Sequence, residues 1–108
     1  MSKMPEQVEP EVVKKWLDAD EAVMIDVREP NEVAAARIPG TIHMAMSSFD
    51  PQELPDLNGR KLVLQCAGGM RSDQVANFLL QNDHVDEAVN LIGGIKGWVE
   101  AGLPVTRG

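Results

Sequence analysis

Cysteine is almost absent from this sequence, as are several patterns that define whole classes of protein. The single thiol, Cys66, cannot form an internal disulfide and is too little for a cysteine-rich metal site. Nothing else in the chain has the ligand spacing of a zinc site. No apolar run approaches the roughly 20 residues that span a bilayer, and Met1–Lys15 lacks the apolar core of a secretory signal. We therefore expect no metal, no other cofactor, no membrane association and, if the chain is complete, a cytoplasmic location.

Basic residues are also scarce. The 10 lysines and arginines are outnumbered by 17 aspartates and glutamates, which gives a formal net charge of −7 and a pI near 4.7. An acidic chain of this size gains nothing from counterion release, so we expect no nucleic-acid partner. Any site for a small anion must be built locally, from backbone N–H groups or a placed arginine.

The rest of the composition is that of one ordinary soluble domain. The chain has 108 residues, of which 44% are hydrophobic and 25% charged, and it contains no internal repeat or low-complexity run. We expect a single domain over residues 1–108. Residues 1–9 are mostly polar and contain a proline, which indicates a flexible N-terminal segment.

Apolar runs and helical spacing alternate along the chain. Short apolar runs predict buried strands over residues 22–27, 61–65 and 88–92. Apolar residues at helical spacing predict helices around residues 12–17, 75–80 and 95–99. Strands that alternate with helices imply an α/β fold with a parallel sheet covered on both faces, and a site at the carboxyl ends of its strands. Cys66 directly follows a predicted strand and so lies at such an end.

The segment from Cys66 to Ser72 joins this strand to the next helix and has the features of an anion site. The adjacent glycines Gly68 and Gly69 let successive backbone N–H groups turn toward one point, which the positive end of the helix also faces. A thiol placed there has a lowered pKa and more thiolate than free cysteine. Arg71 adds a fixed charge with several donors. The spacing alone leaves a second interpretation open, in which Cys66 is a small buried hydrophobic residue and the glycines only form a turn.

Four segments of the chain together resemble the rhodanese homology domain, a family of sulfurtransferases. They occur in the order and at the spacing of that family, over nearly the whole length of the chain. The segments are Met24–Glu29, Ile38–Gly40, the Cys66–Ser72 loop, and Gly93–Trp98 followed by Ala101–Val105.

The resemblance implies a five-stranded parallel sheet flanked by helices and a two-step sulfur transfer. Cys66 is expected to take a sulfur atom from a donor such as thiosulfate and to pass it, as a persulfide, to cyanide or to a thiol. A sulfur-carrier protein could supply that thiol. Arg71 is expected to orient the loop and attract the anionic donor. The persulfide is expected to lie against the remaining loop residues, namely Ala67, Gly68, Gly69, Met70 and Ser72.

Other residues match the family pattern or stand out as candidates. Asp26 and Arg28 match its Asp-x-Arg pair, and we favour a structural ion pair over a role in shaping the pocket rim. His43 and His84 are expected to have no catalytic role, because persulfide chemistry needs no general base beside the thiolate. Met70 could point at the substrate. The residues expected to fill the core are Met24, Met44, Met46 and Trp98.

Two departures from the family pattern are present. Ala36 and Arg37 stand where many members have Gly-His, which we expect to change only local packing or surface charge. Ala67 follows the cysteine, where loops specific for thiosulfate often carry a basic residue. Thiosulfate is therefore expected to bind weakly, and the natural donor stays open between thiosulfate, a persulfide and a protein.

Three other functions are compatible with a reactive cysteine in this loop. Phosphatases and arsenate reductases of the related fold have five residues between cysteine and arginine, whereas four separate Cys66 from Arg71. The shorter loop favours a single sulfur atom over phosphate. A relay module that hands sulfur to one protein partner, and a redox-sensing thiol, both stay open. Retention of the cysteine argues against a purely non-catalytic module.

Overall fold

A parallel sheet forms the centre of the molecule in a computed structural model, which describes residues 4–107. In chain order the elements are β1 (Glu6–Val8), α1 (Pro10–Asp18), β2 (Ala22–Asp26), α2 (Pro30–Ala35), β3 (Ala36–Arg37), β4 (Ile42–His43), β5 (Lys61–Gln65), α3 (Met70–Gln81), β6 (Val89–Leu91), α4 (Gly94–Glu100) and β7 (Thr106–Arg107). Two short 3-10 helices, Met46–Ser48 and Pro51–Glu53, lie between β4 and β5. The sheet has the order β1-β6-β5-β2-β4, and all its paired strands are parallel. β3 and β7 form a separate antiparallel pair.

Alternating side chains of the strands divide the core into two clusters, one on each face of the sheet. On one face Leu64 of β5 belongs to a cluster that includes Leu79 of α3. On the other face Val63 belongs to a cluster that includes Val13 of α1 and Trp98 of α4. Successive residues of a strand point to opposite faces, which is why a continuous apolar run such as that of β5 is needed in a sheet covered on both sides. The predicted α/β fold, a five-stranded parallel sheet flanked by helices, is confirmed.

Of the residues expected to fill the core, some are buried and one is exposed at the surface. Met24 and Trp98 are fully buried, and the indole N–H of Trp98 donates to the Pro104 carbonyl at 2.8 Å, so its polar atom is satisfied. Met44 is half-buried against the cluster on the α3 face. The prediction was wrong for Met46, whose side chain is 36% exposed. It begins a 3-10 helix beyond β4, which is the edge strand of the sheet.

The N-terminal segment also differs from the prediction. Residues 6–8 are not a flexible segment but the edge strand β1, which pairs with β6 from Glu6 opposite Val89 to Val8 opposite Leu91. The Glu6 N–H donates to Ala88 O at 3.0 Å, and Val8 is buried. Residues 1–3 of the predicted flexible segment lie outside the described part of the chain.

Helix boundaries follow capping chemistry. α1 has Pro10 in its first turn, where the missing N–H costs no intrahelical bond. α2 begins with a capping box, in which the side chains of Glu29 and Glu32 each accept from the other's backbone N–H. Gly102, with φ of +78°, follows the last turn of α4. Within residues 4–107 the longest helix is α3 with 12 residues, and no helix combines the length and hydropathy needed to cross a bilayer.

Candidate active site

Cys66 lies at the carboxyl end of β5, where the chain leaves the sheet and turns into α3. Its side chain is buried, and its sulfur accepts a hydrogen bond from the Gly69 N–H at 3.1 Å. Gly69 has φ of +107° and precedes α3 as its N-cap. This left-handed conformation, which side chains rarely adopt, turns the Gly69 N–H back toward the sulfur. The sequence prediction of a thiol facing backbone donors at a helix start therefore describes the geometry of this loop.

The first turn of α4 supports the loop from the other side. The Ile95 N–H donates to Cys66 O at 2.9 Å, and the Lys96 N–H donates to Ala67 O at 3.1 Å. The approach is close because residue 94 is a glycine: a Cβ atom there would lie 2.7 Å from Ala67 O. Gly94, recognised in the sequence as part of a family pattern, is thus required by contact with the Cys66 loop, whereas a Cβ atom on Gly93 would meet Gly97 of α4.

Hydrogen bonding lowers the pKa of the Cys66 thiol below its ordinary value. Burial of the sulfur raises the pKa, and this is the largest single influence. It is outweighed by the Ser72 hydroxyl, whose oxygen lies 3.3 Å from the sulfur, together with the backbone N–H groups of Ser72, Gly69 and Gly68. Donors of this kind stabilise the thiolate, which is the nucleophilic form of cysteine.

Ser72 belongs to a chain of polar side chains that reaches the edge of the sheet. Its hydroxyl oxygen lies 2.6 Å from Asn90 Oδ1. Asn90 Nδ2 donates to Gln7 Oε1 at 2.9 Å, and Gln7 Nε2 donates to Asp73 Oδ1 at 2.8 Å. Neither Asn90 nor Gln7 was singled out from the sequence. The signal available for Asn90 was a polar residue inside the apolar run of β6, whereas nothing marked Gln7, since β1 was not recognised.

The side chain of Arg71 is paired with Glu32 of α2. Its two terminal nitrogens donate to the two carboxylate oxygens, each at 2.8 Å. Mainly because of the hydrogen bonds from Arg71, the pKa of Glu32 falls to about 2, although partial burial opposes the shift. The same pairing raises the pKa of Arg71. The cation that was expected to attract the donor is therefore already paired with a carboxylate, which no motif in the sequence indicates.

Asp26 and Arg28 form a buried ion pair at the end of β2. Arg28 Nη2 donates to Asp26 Oδ2 at 2.8 Å, and both side chains are almost fully enclosed. Arg28 also donates to the carbonyls of Glu32 and Ala36, at 3.3 and 2.8 Å, which fixes the end of α2 against the sheet. The pair thus supports the helix that presents Glu32 to Arg71. His43 Nε2 lies 2.6 Å from the Arg28 carbonyl oxygen.

The loop presents small or apolar residues to solvent. Met70 is 77% exposed, Gly68 is exposed and Ala67 is half-buried. A cavity of about 800 Å³ lies at the opposite end of the sheet, and its lining includes Glu6 and Lys61, the first residues of β1 and β5. That cavity contains no residue of the Cys66 loop. The chemistry-bearing site is therefore the loop at the carboxyl ends of the strands.

Known proteins share both the sequence pattern and the fold. The sequence is 29% identical over 100 residues to an uncharacterized protein, slr1261, of Synechocystis sp., covering 93% of this chain but only 55% of that protein. It is also 29% identical over 100 residues to the thiosulfate sulfurtransferase GlpE of Actinobacillus succinogenes, covering 92% of this chain and 88% of the relative.

The same holds for solved structures. The crystal structure of a rhodanese-related protein from Thermoplasma volcanium has a TM-score of 0.75 and 27% sequence identity, covering 94% of this chain and 97% of the other. The sequence pattern of the Rhodanese-like domain matches residues 9–101, a range that includes Cys66, its loop and the supporting turn of α4. The chain therefore belongs to the rhodanese-like domain family.

Proposed function

We propose that this protein is a sulfurtransferase in which Cys66 carries the transferred sulfur as a persulfide. The observation that carries the proposal is the position of the Cys66 sulfur, which accepts from the Gly69 N–H at the start of α3 and has a lowered pKa. A similar protein of Actinobacillus succinogenes is a thiosulfate sulfurtransferase by name, which supports the same class of reaction.

The first step of the proposed reaction loads the cysteine. The Cys66 thiolate attacks the outer sulfur of thiosulfate, a new S–S bond forms, and the S–S bond of the donor breaks with its electron pair leaving on sulfite. The second step unloads it. Cyanide or a thiolate attacks the outer sulfur of the persulfide, and the electron pair of the broken S–S bond returns to Cys66 as the thiolate. The acceptor thiol belongs to a small molecule or to a sulfur-carrier protein.

The loop has separate tasks in the two states of Cys66. In the free enzyme the N–H groups of Gly68, Gly69 and Ser72 stabilise the thiolate. In the persulfide the negative charge moves to the outer sulfur, and the loop backbone from Ala67 to Ser72 holds it. Arg71 keeps α3 and α2 together through Glu32 and adds a positive potential near the sulfur. No step requires a cofactor.

A phosphatase reaction is less consistent with this geometry. A phosphate cradle of the cysteine–arginine type needs its arginine to face the bound oxyanion, and here both terminal nitrogens of Arg71 donate to Glu32. The loop is also one residue shorter than those of the related phosphatases. Both observations favour a site that holds a sulfur atom.

Intact-protein mass spectrometry tests the proposal directly. After incubation with thiosulfate we expect a gain of one sulfur, about 32 Da, that later treatment with cyanide removes. The Cys66→Ser variant is expected to keep its fold and to show no gain. Alkylation of the untreated protein by iodoacetamide serves as the control for an accessible thiol.

The other outcomes contradict the proposal in different ways. A thiol that reacts with iodoacetamide but takes no sulfur from thiosulfate, mercaptopyruvate or a small persulfide would rule out the free enzyme. Loading that occurs only with a protein partner would identify a relay module instead. A sulfur gain that persists in Cys66→Ser would place the nucleophile elsewhere.

A further inference from the structure

The Ser72 hydroxyl stands between two acceptors but has only one proton. Its oxygen lies 2.6 Å from Asn90 Oδ1 and 3.3 Å from the Cys66 sulfur. A hydroxyl can donate to one partner at a time, although it can accept on its other side. Donation to Asn90 and donation to Cys66 are therefore mutually exclusive. All three side chains are buried.

The orientation of the Asn90 amide is fixed by its other partners. The two hydrogens of Nδ2 are used by Gln7 Oε1 at 2.9 Å and by Gly69 O at 3.1 Å. Gln7 is itself held by Asp73 through Nε2. With both donors committed, the amide cannot turn over without placing its oxygen against the Gly69 carbonyl. Oδ1, which can only accept, must face Ser72.

This arrangement favours one protonation state of the cysteine. Two oxygens at 2.6 Å need a proton between them, so the Ser72 hydroxyl points at Asn90 and turns a lone pair toward the sulfur. A lone pair at that place accepts from a protonated thiol but repels a thiolate. When Cys66 ionises, the hydroxyl must rotate to the sulfur, and Asn90 Oδ1 loses its donor in a buried site.

We propose that Asn90 is a positioning residue, which competes with Cys66 for the single hydroxyl proton of Ser72 and thereby sets the balance between thiol and thiolate. Its importance for turnover rests on the proposed sulfur transfer, but the competition is a property of the free thiol. In the persulfide the charge sits on the outer sulfur, so the hydroxyl returns to Asn90. The hydroxyl thus rotates twice in each cycle.

None of the charged groups already near the thiol is itself substituted in the variants that test this competition. Arg71 of α3 interacts electrostatically with the sulfur and forms an ion pair with Glu32 of α2. Glu29 also interacts electrostatically with Arg71. Asp73 lies at the far end of the side-chain network, bonded to Gln7. The ion pair of Asp26 and Arg28 lies at the end of the neighbouring strand β2. Neither ion pair contacts Asn90. Only the Gln7–Asp73 hydrogen bond is connected to residue 90, through the bond from Asn90 Nδ2 to Gln7.

The test is the pH dependence of iodoacetamide alkylation, which reports Cys66 alone because the chain has one cysteine. Asn90→Leu removes the competing acceptor and is expected to lower the midpoint, which is the pH at which the alkylation rate is half its maximum. Below that pH the rate is expected to increase about three- to tenfold. Asn90→Asp keeps the acceptor and adds a negative charge, and is expected to raise the midpoint. Opposite shifts are the expected result, whereas shifts in the same direction would overturn the proposal.

A second pair of variants tests whether the effect passes through Ser72. Ser72→Ala removes the hydroxyl and is expected to raise the midpoint. In that background Asn90→Leu is expected to have no further effect on the midpoint, because no proton remains to be shared. An equal shift of Asn90→Leu with and without the hydroxyl would overturn the proposal. Circular dichroism checks the fold, and Asn90→Ala replaces Asn90→Leu in the same cycle if the leucine does not fold.

The alkylation experiment uses no sulfur donor. Failure to form a persulfide would therefore contradict the proposed function and leave the midpoints unchanged. Conversely, normal persulfide formation combined with identical midpoints in all the Asn90 variants would support the sulfur transfer and remove Asn90 from it.

Discussion

The carboxylate of Glu32 has the largest effect on how much positive charge the Cys66 loop offers to an anion. Arg71 is the only cation in the loop, and Glu32 receives both of its terminal nitrogens at 2.8 Å. A neighbouring carboxylate, Glu29, further weakens the positive potential of Arg71. Thiosulfate carries two negative charges, so this pairing opposes its approach.

Glu32→Gln is therefore expected to increase kcat/KM for thiosulfate, by about fivefold, since it removes one negative charge beside Arg71. The measurement is the initial rate of sulfur loading at several thiosulfate concentrations. Glutamine retains an oxygen that accepts from the Glu29 N–H, so the start of α2 is preserved. A lower rate with thiosulfate in a folded Glu32→Gln variant would show that the pair positions Arg71 for catalysis.

The same carboxylate links stability to pH. The pKa of Glu32 is about 2 in the folded protein, against 4.5 for the ordinary side chain. A depressed folded-state pKa contributes stability that is complete above the unfolded value and is lost as pH falls through the folded value. The difference in free energy of unfolding between the protein and Glu32→Gln is expected to be constant above pH 5 and to shrink toward pH 2. Urea titrations at several pH values measure it, and a difference that persists unchanged at pH 2 contradicts the assignment.

At the scale of elements, the decisive contact is between the start of α4 and the turn from β5 to α3. Gly94 has φ of +57° and no room for a side chain, because a Cβ atom would lie 2.7 Å from Ala67 O. Gly102 has a similar φ of +78° but open space around it. Alanine at residue 102 therefore has only the free-energy cost of a left-handed backbone, whereas alanine at residue 94 has that cost and the cost of a steric clash.

Gly102→Ala is expected to destabilise the fold by about 1–2 kcal/mol, the usual penalty for a left-handed alanine. Gly94→Ala carries the same penalty and a further overpacking cost of about 1–3 kcal/mol. Thermal or urea unfolding measures the difference. Gly94→Ala is also expected to slow persulfide formation, whereas Gly102→Ala leaves it unchanged. Equal effects of the two substitutions on both measurements would contradict the role of the contact.

The strands that the sequence predicted correctly are those buried on both faces. β2 and β5 are continuous apolar runs because each face of the sheet is covered, and such runs are recognisable without any partner. β1 was missed because it is an edge strand of three residues, only one of which is buried. Its conformation depends on pairing with β6, from which it is separated by about 80 residues of chain. Local propensity does not specify such a strand.

The same limit applies to the candidate site, of which only the part formed by contiguous residues was predictable from the sequence. The Cys66 loop could be recognised because its glycines, cysteine and helix start are contiguous in sequence. Glu32, Asn90 and Gln7 reach the loop from α2, β6 and β1, and their roles depend on side-chain contacts across long separations. Glu32 lies 39 positions away from Arg71, and nothing in the sequence indicates that the two side chains will form an ion pair.

For the whole molecule, the relevant property is net charge. The chain has a formal charge of −7, so a dianionic donor meets a repulsive potential before it reaches the loop. Salt shortens the range of this repulsion, since the Debye length falls from about 30 Å at 0.01 M to about 8 Å at 0.15 M. The field acts on charged reagents and has little effect on the approach of neutral ones.

The rate of sulfur loading from thiosulfate is therefore expected to increase about two- to fourfold between low and physiological salt. Alkylation of Cys66 by neutral iodoacetamide, at a pH where the thiol is fully ionised, is the matched control and is expected to change little. Stopped-flow or quenched time courses at fixed pH measure both rates. A thiosulfate rate that falls with added salt would show that local positive charge, rather than the global field, governs encounter.

The two hydrogen bonds from α4 to Cys66 O and Ala67 O have a consequence for how such a site diversifies. With these carbonyls occupied, the loop presents backbone hydrogens on one side and carbonyl oxygens on the other. That polarity comes from the direction of the main chain and does not depend on the side chains of Ala67 or Met70. Holding a sulfur anion and choosing its donor are therefore separate properties of this loop. Substitutions at the exposed positions of the loop can change the substrate without changing the backbone N–H groups that hold the sulfur.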